Sequence, residues 1–227
     1  ALRVVALGVL VVGIAAAWLL RRAPLPAAAT VPPGATLREA LRTARFRWLY
    51  VAAVAAGPVM FIPFAQVSAA ARDLGIADGA AVGLLGLIGA GSVFGRFAIG
   101  GLADRMGRVP AIVLMQASMG LAFLAWQGAG GYAALAAFAL WFGLSYGAVV
   151  SLMPAICMDM FGARAVSAIL GTLYTGAAFG NLLGPFAAGW VFDRHGSYAP
   201  VIWGCVALSA IATAASSMLL SRRVPAY

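Results

Sequence analysis

Seven long apolar segments divide this chain of 227 residues, and polar sequence is confined mainly to the gaps between them. A helix needs about 20 mostly apolar residues to cross the hydrocarbon core of a bilayer. The chain is 64% hydrophobic and 9% charged, whereas soluble domains carry about a quarter charged residues. The pattern therefore predicts an all-α integral membrane protein. The predicted spans are residues 2–20, 47–69, 79–103, 110–127, 131–157, 163–192 and 198–220.

The same composition argues against several other classes of protein. The net charge is +9, but the arginines lie in gaps between apolar runs and not on a folded basic face, so we expect no nucleic-acid partner. Cys157 and Cys205 lie in apolar runs without metal-type spacing, which favours unpaired thiols. The single histidine lies in a loop, and no nucleophile–base pair is evident. We therefore expect no enzymatic activity, no cofactor and no metal site.

The first apolar segment and the polar connection after it form a distinct region. In "WLLRR" the charge follows the apolar core, which is unlike a signal peptide, so residues 1–21 are expected to be a transmembrane helix continuing a longer protein. Residues 22–46 form a linker that begins proline-rich and then places Glu39 three residues after Thr36, as in a capping box. Leu37 and Leu41 predict an amphipathic helix, which either lies on an anionic leaflet or is a solvated linker helix. Residues 47–221 are the expected six-helix bundle, and residues 222–227 a cytoplasmic tail.

The distribution of arginine predicts the orientation in the membrane. With seven alternating spans, eleven arginines fall on one side and three on the other, and Arg96 lies within a span. Cytoplasmic loops carry the excess of basic residues. We therefore expect a multi-pass protein of the cell membrane (inner or plasma), with the linker and the C-terminus in the cytoplasm.

Two sections of the chain resemble each other. One runs from "DLGIADGAAVGLLG" to "GGLADRMGR", and the other from "DMFGARAVSAILG" to "AGWVFDRHGS". Each section belongs to a unit of three helices, and because an odd number of helices reverses direction, the two units are predicted to be inverted repeats. Chance similarity between glycine-rich segments is the alternative. The matched pairs are Asp73 with Asp159, Gly83 with Gly171 and Asp104 with Asp193, which lie 86, 88 and 89 positions apart.

These segments also resemble a known family. "GGLADRMGR" resembles the signature of the major facilitator superfamily, although Val109 stands at the family's next basic position. "SYGAVVSLMPAICMDMFG" and "GNLLGPFAAGWVFDRHGSY" are similar to its tenth and eleventh helices, and "TLREALRTARFRWLY" to the start of its seventh. The resemblance covers helix six, the central loop and helices seven to twelve. It implies a C-terminal six-helix bundle plus one preceding helix, and a partner N-terminal six-helix half missing from this sequence.

The glycine-flanked turn after the third span carries a charged cluster. Asp104 lies at a helix C-terminus, where a carboxylate is unfavourable unless a positive group pairs with it. Arg105, Arg108 or the start of a neighbouring helix could supply that charge, while Gly100 and Gly107 permit close approach and a tight turn. The resemblance implies that these five residues are a conformational latch that breaks and reforms during alternating access. An ordinary charged loop that fixes topology is the alternative.

Arg96 lies eight residues before the acid of that turn, about 12 Å deep along a helix. An arginine at the centre of a membrane helix costs about 2.5–3.5 kcal/mol on insertion scales. Ser92 shares its face, and the residues alone leave open an anion held by the guanidinium or a structural tie to a carbonyl or an acid. An arginine here is similar to that of the monocarboxylate and oxalate–formate branch, which implies contact with a substrate carboxylate. "LYTGAAFGN" lacks the second cation of oxalate-type members, which favours a monoanion.

Other polar residues within the spans complete the predicted substrate site. Each could instead be a helix–helix hydrogen bond. The fourth and seventh spans have few polar residues and are expected to be outer supports. No acidic residue lies deep in a span, so this sequence shows no carboxylate proton relay. The candidates for substrate binding, besides Arg96 and Ser92, are Gln66, Tyr146, Tyr174, Thr175 and Asn181.

Together these features predict a secondary active transporter, or a fragment of one, that works by alternating access. The expected substrate is a small organic anion such as a monocarboxylate. The alternatives are a drug or neutral-solute efflux transporter of the same superfamily and a non-transporting membrane assembly partner. The sequence leaves the coupling ion, antiport or symport, and the oligomeric state open.

Overall fold

A computed structural model describes residues 2–19 and 33–220 of the chain, with side chains for residues 10–18 and 33–220. It divides into a first unit, residues 1–31, and a second unit, residues 32–227. The first unit contains α1, Leu2–Leu19. The proline-rich part of the linker and the predicted tail, residues 222–227, lie outside the described residues. The helices of the second unit are α2 (Leu37–Arg42), α3 (Ala44–Asp73), α4 (Asp78–Met106), α5 (Arg108–Gln127), α6 (Tyr132–Phe161), α7 (Val166–His195) and α8 (Ala199–Ser217).

Helices α3 to α8 are each long and apolar enough to cross a membrane. They confirm six of the predicted spans and the all-α fold. Helices α3 and α4 extend beyond their apolar segments at both ends, whereas α8 is shorter than its predicted span of residues 198–220. At the start of α3 a local cap accounts for the difference. Thr43 Oγ1 accepts a hydrogen bond from the Phe46 amide at 3.1 Å, so α3 begins at Ala44 and not at residue 47. The first predicted span is an 18-residue helix, and its passage through a bilayer stays a prediction.

The linker helix α2 has the predicted capping box. The Thr36 amide donates to Glu39 Oε2 at 2.8 Å, and the Glu39 amide donates to Thr36 Oγ1 at 3.3 Å. These bonds satisfy two amides that a helix start leaves without partners. Ala40 is fully buried, whereas Leu41 is exposed. Contact of α2 with a lipid leaflet stays a prediction.

The residues just before α2 are fixed to the turn between α6 and α7. Gly34 and Gly162 pair as an antiparallel bridge, and the Ala35 amide donates to the Phe161 carbonyl at 2.8 Å. Both glycines have positive φ, 141° and 73°, which other residues rarely adopt. A side chain on either glycine would also collide with the opposite backbone. The described end of the linker is therefore part of the bundle.

The bundle is built from two three-helix units with matching packing, α3–α5 and α6–α8. The contact of α4 with α6 matches the contact of α7 with α3, and the contact of α5 with α6 matches the contact of α8 with α3. The third helices of the two units, α5 and α8, also pack against each other. Gly83 and Gly171 are each the sixth residue of their helix, and Asp104 and Asp193 are each third from the end. Because consecutive long helices with short connections run antiparallel, the two units have opposite directions. The packing confirms the predicted inverted repeat.

Glycines lie where the paired helices of the two units meet most closely. A Cβ added to Gly57 on α3 would lie 2.6 Å from the Ala177 carbonyl oxygen on α7. A Cβ added to Gly143 on α6 would collide in the same way with the Ile88 carbonyl of α4. Gly57 and Gly143 are 86 positions apart, and Ile88 and Ala177 are 89 apart, as the repeat predicts. Small residues let membrane helices approach to backbone contact.

The repeat counterparts α4 and α7 are the least covered of the six spanning helices. Only 33% of an 18-residue apolar stretch of α4 and 17% of the equivalent stretch of α7 are buried. Phe97 on α4 is 80% exposed, and Phe186 on α7 is 75% exposed. These two helices carry large apolar faces that the described part of the chain does not cover.

Candidate functional site

A cavity of about 390 Å³ opens between α3, α6 and α7 and reaches α5 behind them. None of its lining residues is charged, and most are apolar. Three of the predicted site residues, Tyr146, Tyr174 and Asn181, line it. Of the lining residues, Tyr174 and Phe61 are exposed, whereas Gln116 and Leu173 are buried. The cavity therefore has an open mouth and a buried floor.

Aromatic packing holds the wall of the cavity that contains Tyr146. Its ring stacks on Phe142, with centroids 6.1 Å apart, and meets the edge of Phe64 at 5.3 Å. Such ring pairs prefer offset or edge-to-face geometry and restrict the rotamers of both partners. The Tyr146 hydroxyl is thus carried on a rigid ring beside the cavity.

Asn181 combines a place at the cavity with a structural tie. With its amide nitrogen facing the backbone carbonyls, Nδ2 lies 2.9 Å from the Gly57 oxygen and 3.1 Å from the Ala177 oxygen. The bond to Gly57 joins α7 to α3 at the point where Gly57 brings their backbones together, and the bond to Ala177 lies within α7. Asn181 therefore positions the cavity wall, whether or not it also touches a ligand.

Gln116 is the polar lining residue that the sequence did not lead us to expect. It lies on α5, the fourth predicted span, which was expected to be an outer support. Its side chain is only 1% exposed, and neither amide atom has a hydrogen-bond partner among the described residues. The sequence does contain a sign of its role, because a single amide in the apolar run "AIVLMQASMG" is the kind of intramembrane polar residue that marks a functional site. The low polar content of α5 led to its prediction as an outer support, and Gln116 is the one α5 residue in the cavity lining.

Gln66 lies outside the cavity and joins three helices. Its Nε2 donates to the Pro185 carbonyl at 3.3 Å, and its Oε1 accepts from the Tyr198 hydroxyl at 3.4 Å. Burial, followed by the nearby carboxylates of Asp73 and Asp193, raises the pKa of Tyr198 and keeps that phenol a donor. Gln66 has the role of a helix–helix hydrogen bond here.

Thr175, Ser92 and Arg96 also lie away from the cavity lining. The Thr175 hydroxyl donates to the Thr172 carbonyl of its own helix at 2.7 Å. Ser92 is 6% exposed, in the contact where Gly147 of α6 meets the backbone of α4. Arg96, one turn further, is exposed, and its guanidinium makes no hydrogen bond or ion pair with the described residues. The structure therefore does not bring Arg96 together with the two tyrosines.

The predicted latch forms a different ion pair from the one expected within the turn. Gly107 makes the tight turn, with φ 94°. Arg108 Nη1 lies 2.6 Å from Asp159 Oδ1 at the end of α6 and does not pair with Asp104, because Arg108 begins α5 on the far side of the turn. Asp104 and Arg105 are exposed.

Gly100 has open space where a Cβ would stand, so within the described residues it makes no close helix contact. The cluster of Gly100, Asp104, Arg105, Gly107 and Arg108 thus links the turn to α6 through one ion pair. Its action as a latch stays a prediction.

Comparison with known proteins identifies the family. The model of the Major Facilitator Superfamily matches residues 2–185 and, in a second overlapping match, residues 60–227. An MFS-type transporter of Penicillium oxalicum, opdF, is 31% identical over 157 residues, covering 69% of this chain and 37% of the relative. Monocarboxylate transporter 3 of Rattus norvegicus is 34% identical over 144 residues, covering 61% and 29%. Monocarboxylate transporter 12 of Rattus norvegicus is 29% identical over 139 residues, covering 60% and 29%.

The chain spans about a third of the length of these curated relatives, between 29% and 37%. The family match covers most of the chain, and its six long apolar helices form the inverted three-helix repeats predicted from the internal similarity of the sequence. The chain therefore belongs to the major facilitator superfamily of membrane transporters.

Proposed function

We propose that this chain is part of a secondary active transporter that moves a small organic anion, such as a monocarboxylate, by alternating access. The supporting observation is Arg96, an arginine without a protein partner among the described residues, on a helix that spans the membrane. The similarity to proteins named monocarboxylate transporters agrees with this substrate class.

An arginine in this place needs a polar environment. Arg96 is flanked by the exposed apolar side chains of Val93 and Phe97 on α4. A guanidinium facing lipid at this depth is costly, whereas one facing a water-filled or protein-lined path is tolerated. Its fixed fork of donors matches the two oxygens of a carboxylate. A substrate carboxylate on this face of α4 would therefore both satisfy and neutralise the charge.

The proposal also assigns the remaining parts of the molecule. The exposed faces of α4 and α7 would pack against a second six-helix half around a central path. The Arg108–Asp159 pair would be made and broken as the halves move. The linker and the C-terminus would lie in the cytoplasm of a cell that holds the protein in its inner or plasma membrane, as the arginine distribution predicts.

The uncharged cavity favours a second candidate, transport of a neutral or drug-like solute. Its polar groups are phenols and amides, and a site of this composition binds apolar molecules through area and a few hydrogen bonds. Such transport would not need a guanidinium, so the two candidates separate on Arg96.

The test is uptake of radiolabelled lactate and oxalate into vesicles that hold the protein with its complete coding sequence. We expect lactate uptake to fall in Arg96→Lys and to be abolished in Arg96→Ala, while the matched surface variant Arg47→Ala transports normally. Equal membrane insertion of all variants is the control. Normal carboxylate uptake by Arg96→Ala would contradict the proposal. So would a wild-type protein that exports cations and moves no carboxylate, and transport of neither class would favour a non-transporting assembly partner.

A further inference from the structure

The amide of Gln116 is a buried polar group that the proposed anion site does not use. Its side chain is 1% exposed and lines the floor of the cavity. Neither Nε2 nor Oε1 has a hydrogen-bond partner among the described residues. A buried donor or acceptor left without a partner is costly, and native structures rarely contain one. The amide therefore marks a place where another molecule supplies a donor and an acceptor.

We propose that this cavity binds compact, uncharged molecules that carry a hydrogen-bond donor beside an acceptor on an apolar body. Primary amides and protonated carboxylic acids share this chemistry. The site is separate from Arg96, and the inference deepens the second candidate above, a neutral solute in this cavity, by naming the class of ligand.

The donor–acceptor requirement follows from the side chain itself. Glutamine presents a donor, Nε2, and an acceptor, Oε1, side by side. A primary amide or a protonated acid offers the reciprocal pair, so two hydrogen bonds form at once. A carboxylate offers only acceptors, and one of its oxygens would then face Gln116 Oε1 without a proton between them.

The uncharged lining excludes the ionised form of an acid. The titratable side chains that line the cavity are Tyr146 and Tyr174, and no Arg, His, Asp or Glu lines it among the described residues. Burial disfavours the charged form of a carboxylic acid and raises its pKa. Between acidic and neutral pH, the change in binding would come from the ligand and not from the lining.

The shape of the cavity orients the ligand. Gln116 lies at the buried floor, and Tyr174 and Ala178 lie at the exposed mouth. The polar end of a ligand would enter first, and its apolar body would contact side chains such as Met60 and Val149. The volume of about 390 Å³ falls within the range of small-molecule pockets, about 300–1,000 Å³.

Two residues of this lining lie one helical turn before a proline. Val150 and Asn181 line the cavity and precede Pro154 and Pro185 by four positions. Because proline has no amide hydrogen, the carbonyls of Val150 and Asn181 lose their regular helical donor. A primary amide, which has a second N–H, can use such an acceptor, and an acid cannot once its single proton is bonded to Gln116.

The test is a fluorine NMR titration of the 227-residue chain in detergent micelles. The probes are para-fluorobenzamide, para-fluorobenzoic acid and para-fluorotoluene, each corrected for empty micelles. We expect Gln116→Leu to weaken the benzamide about tenfold, as for a lost pair of neutral hydrogen bonds. The matched control Gln127→Leu, at the exposed end of the same helix, should change nothing. Para-fluorotoluene should bind Gln116→Leu at least as well as it binds the wild type.

Two further measurements distinguish the protonated acid from the amide as ligand and test whether binding occurs in this cavity. The benzoic acid should bind below its own pKa and lose affinity above it, whereas the benzamide should bind equally at both pH values. Ala178→Trp, which keeps Gln116 and narrows the mouth, should weaken all three probes and covers the case in which Gln116→Leu does not fold. Equal benzamide affinity in wild type and Gln116→Leu would show that water alone satisfies the amide and would overturn the proposal. Stronger binding of the benzoate anion than of the acid would also overturn it, without bearing on the uptake test of Arg96.

Discussion

The glycine contacts between α3 and α7 give a direct test of how the bundle is held together. The substitution is Gly57→Ala, which adds one methyl group to α3 and nothing else. That methyl carbon would lie 2.6 Å from the Ala177 carbonyl oxygen and 3.1 Å from Gly180 Cα. Both neighbours are backbone atoms, so no side-chain rotation can relieve the contact. The matched control is Gly83→Ala on α4, where a Cβ meets nothing within 4 Å.

The expected loss follows from the separation that the methyl group requires. To bring the 2.6 Å contact to the shortest distance that real Cβ atoms show, 3.0 Å, the two helices must move apart by about 0.4 Å. Overpacking of this kind costs about 1–3 kcal/mol of unfolding free energy. Replacing glycine by alanine within a helix also gains about 0.5–1 kcal/mol. Both variants share that gain, so their difference isolates the cost of overpacking.

The assay is thermal unfolding of the purified chain in detergent, followed by tryptophan fluorescence. For a chain of this size, 1 kcal/mol corresponds to about 2–4 °C in Tm. We therefore expect Gly57→Ala to melt about 2–12 °C below Gly83→Ala. Gly143→Ala, the repeat counterpart of Gly57, should fall in the same range because it meets the Ile88 carbonyl of α4.

Equal Tm values for Gly57→Ala and Gly83→Ala would refute this reasoning. They would mean that the α3–α7 contact is looser than the structure shows. A loss at Gly57 with none at Gly143 would refute the equivalence of the two repeats but leave the α3–α7 contact standing.

Three further predictions concern the charged and capping residues. The Arg108–Asp159 pair is partly exposed, with side chains 39% and 53% accessible. A double-mutant cycle with Arg108→Gln and Asp159→Asn should therefore give a coupling energy of about 0.2–1 kcal/mol that high salt removes. A coupling energy unaffected by salt would contradict this prediction. Hydrogen bonding to the Thr36 amide, the largest cause, lowers the pKa of Glu39. The protection of the α2 amides from hydrogen exchange should therefore be complete above the ordinary pKa of a glutamate and lost as the pH falls through the lowered value. Glu39→Gln should abolish that dependence, and an unchanged pH profile in that variant would assign it to another group. A cysteine at the exposed position Arg42 should react with an impermeant maleimide only from the cytoplasmic side. The reaction reports on that position because both native cysteines are buried. Labelling of intact cells from outside would reverse the predicted orientation.

The amino-acid sequence by itself determined the six long apolar helices, the capping box of α2 and the repeat. A bilayer permits few backbone solutions other than helices with internal hydrogen bonds, so apolar length alone locates each crossing segment. The Thr36–Glu39 capping box and the Gly107 turn could also be predicted, because both act within a few neighbouring residues. The inverted repeat was visible because equivalent positions in the two units carry the same chemical types, as at Gly83 and Gly171.

Only the tertiary structure decided which polar groups meet. Gln66 and Gln116 are both single amides in apolar runs, yet Gln66 joins three helices and Gln116 faces the cavity without a protein partner among the described residues. The ion pair of Arg108 with Asp159 joins residues 51 positions apart, and neither residue specifies the other locally. A membrane helix that is apolar on all sides carries little information about which side faces the bundle. The close approach of α3 to α7 and of α4 to α6 depends on glycine contacts with partners that only the folded chain brings together.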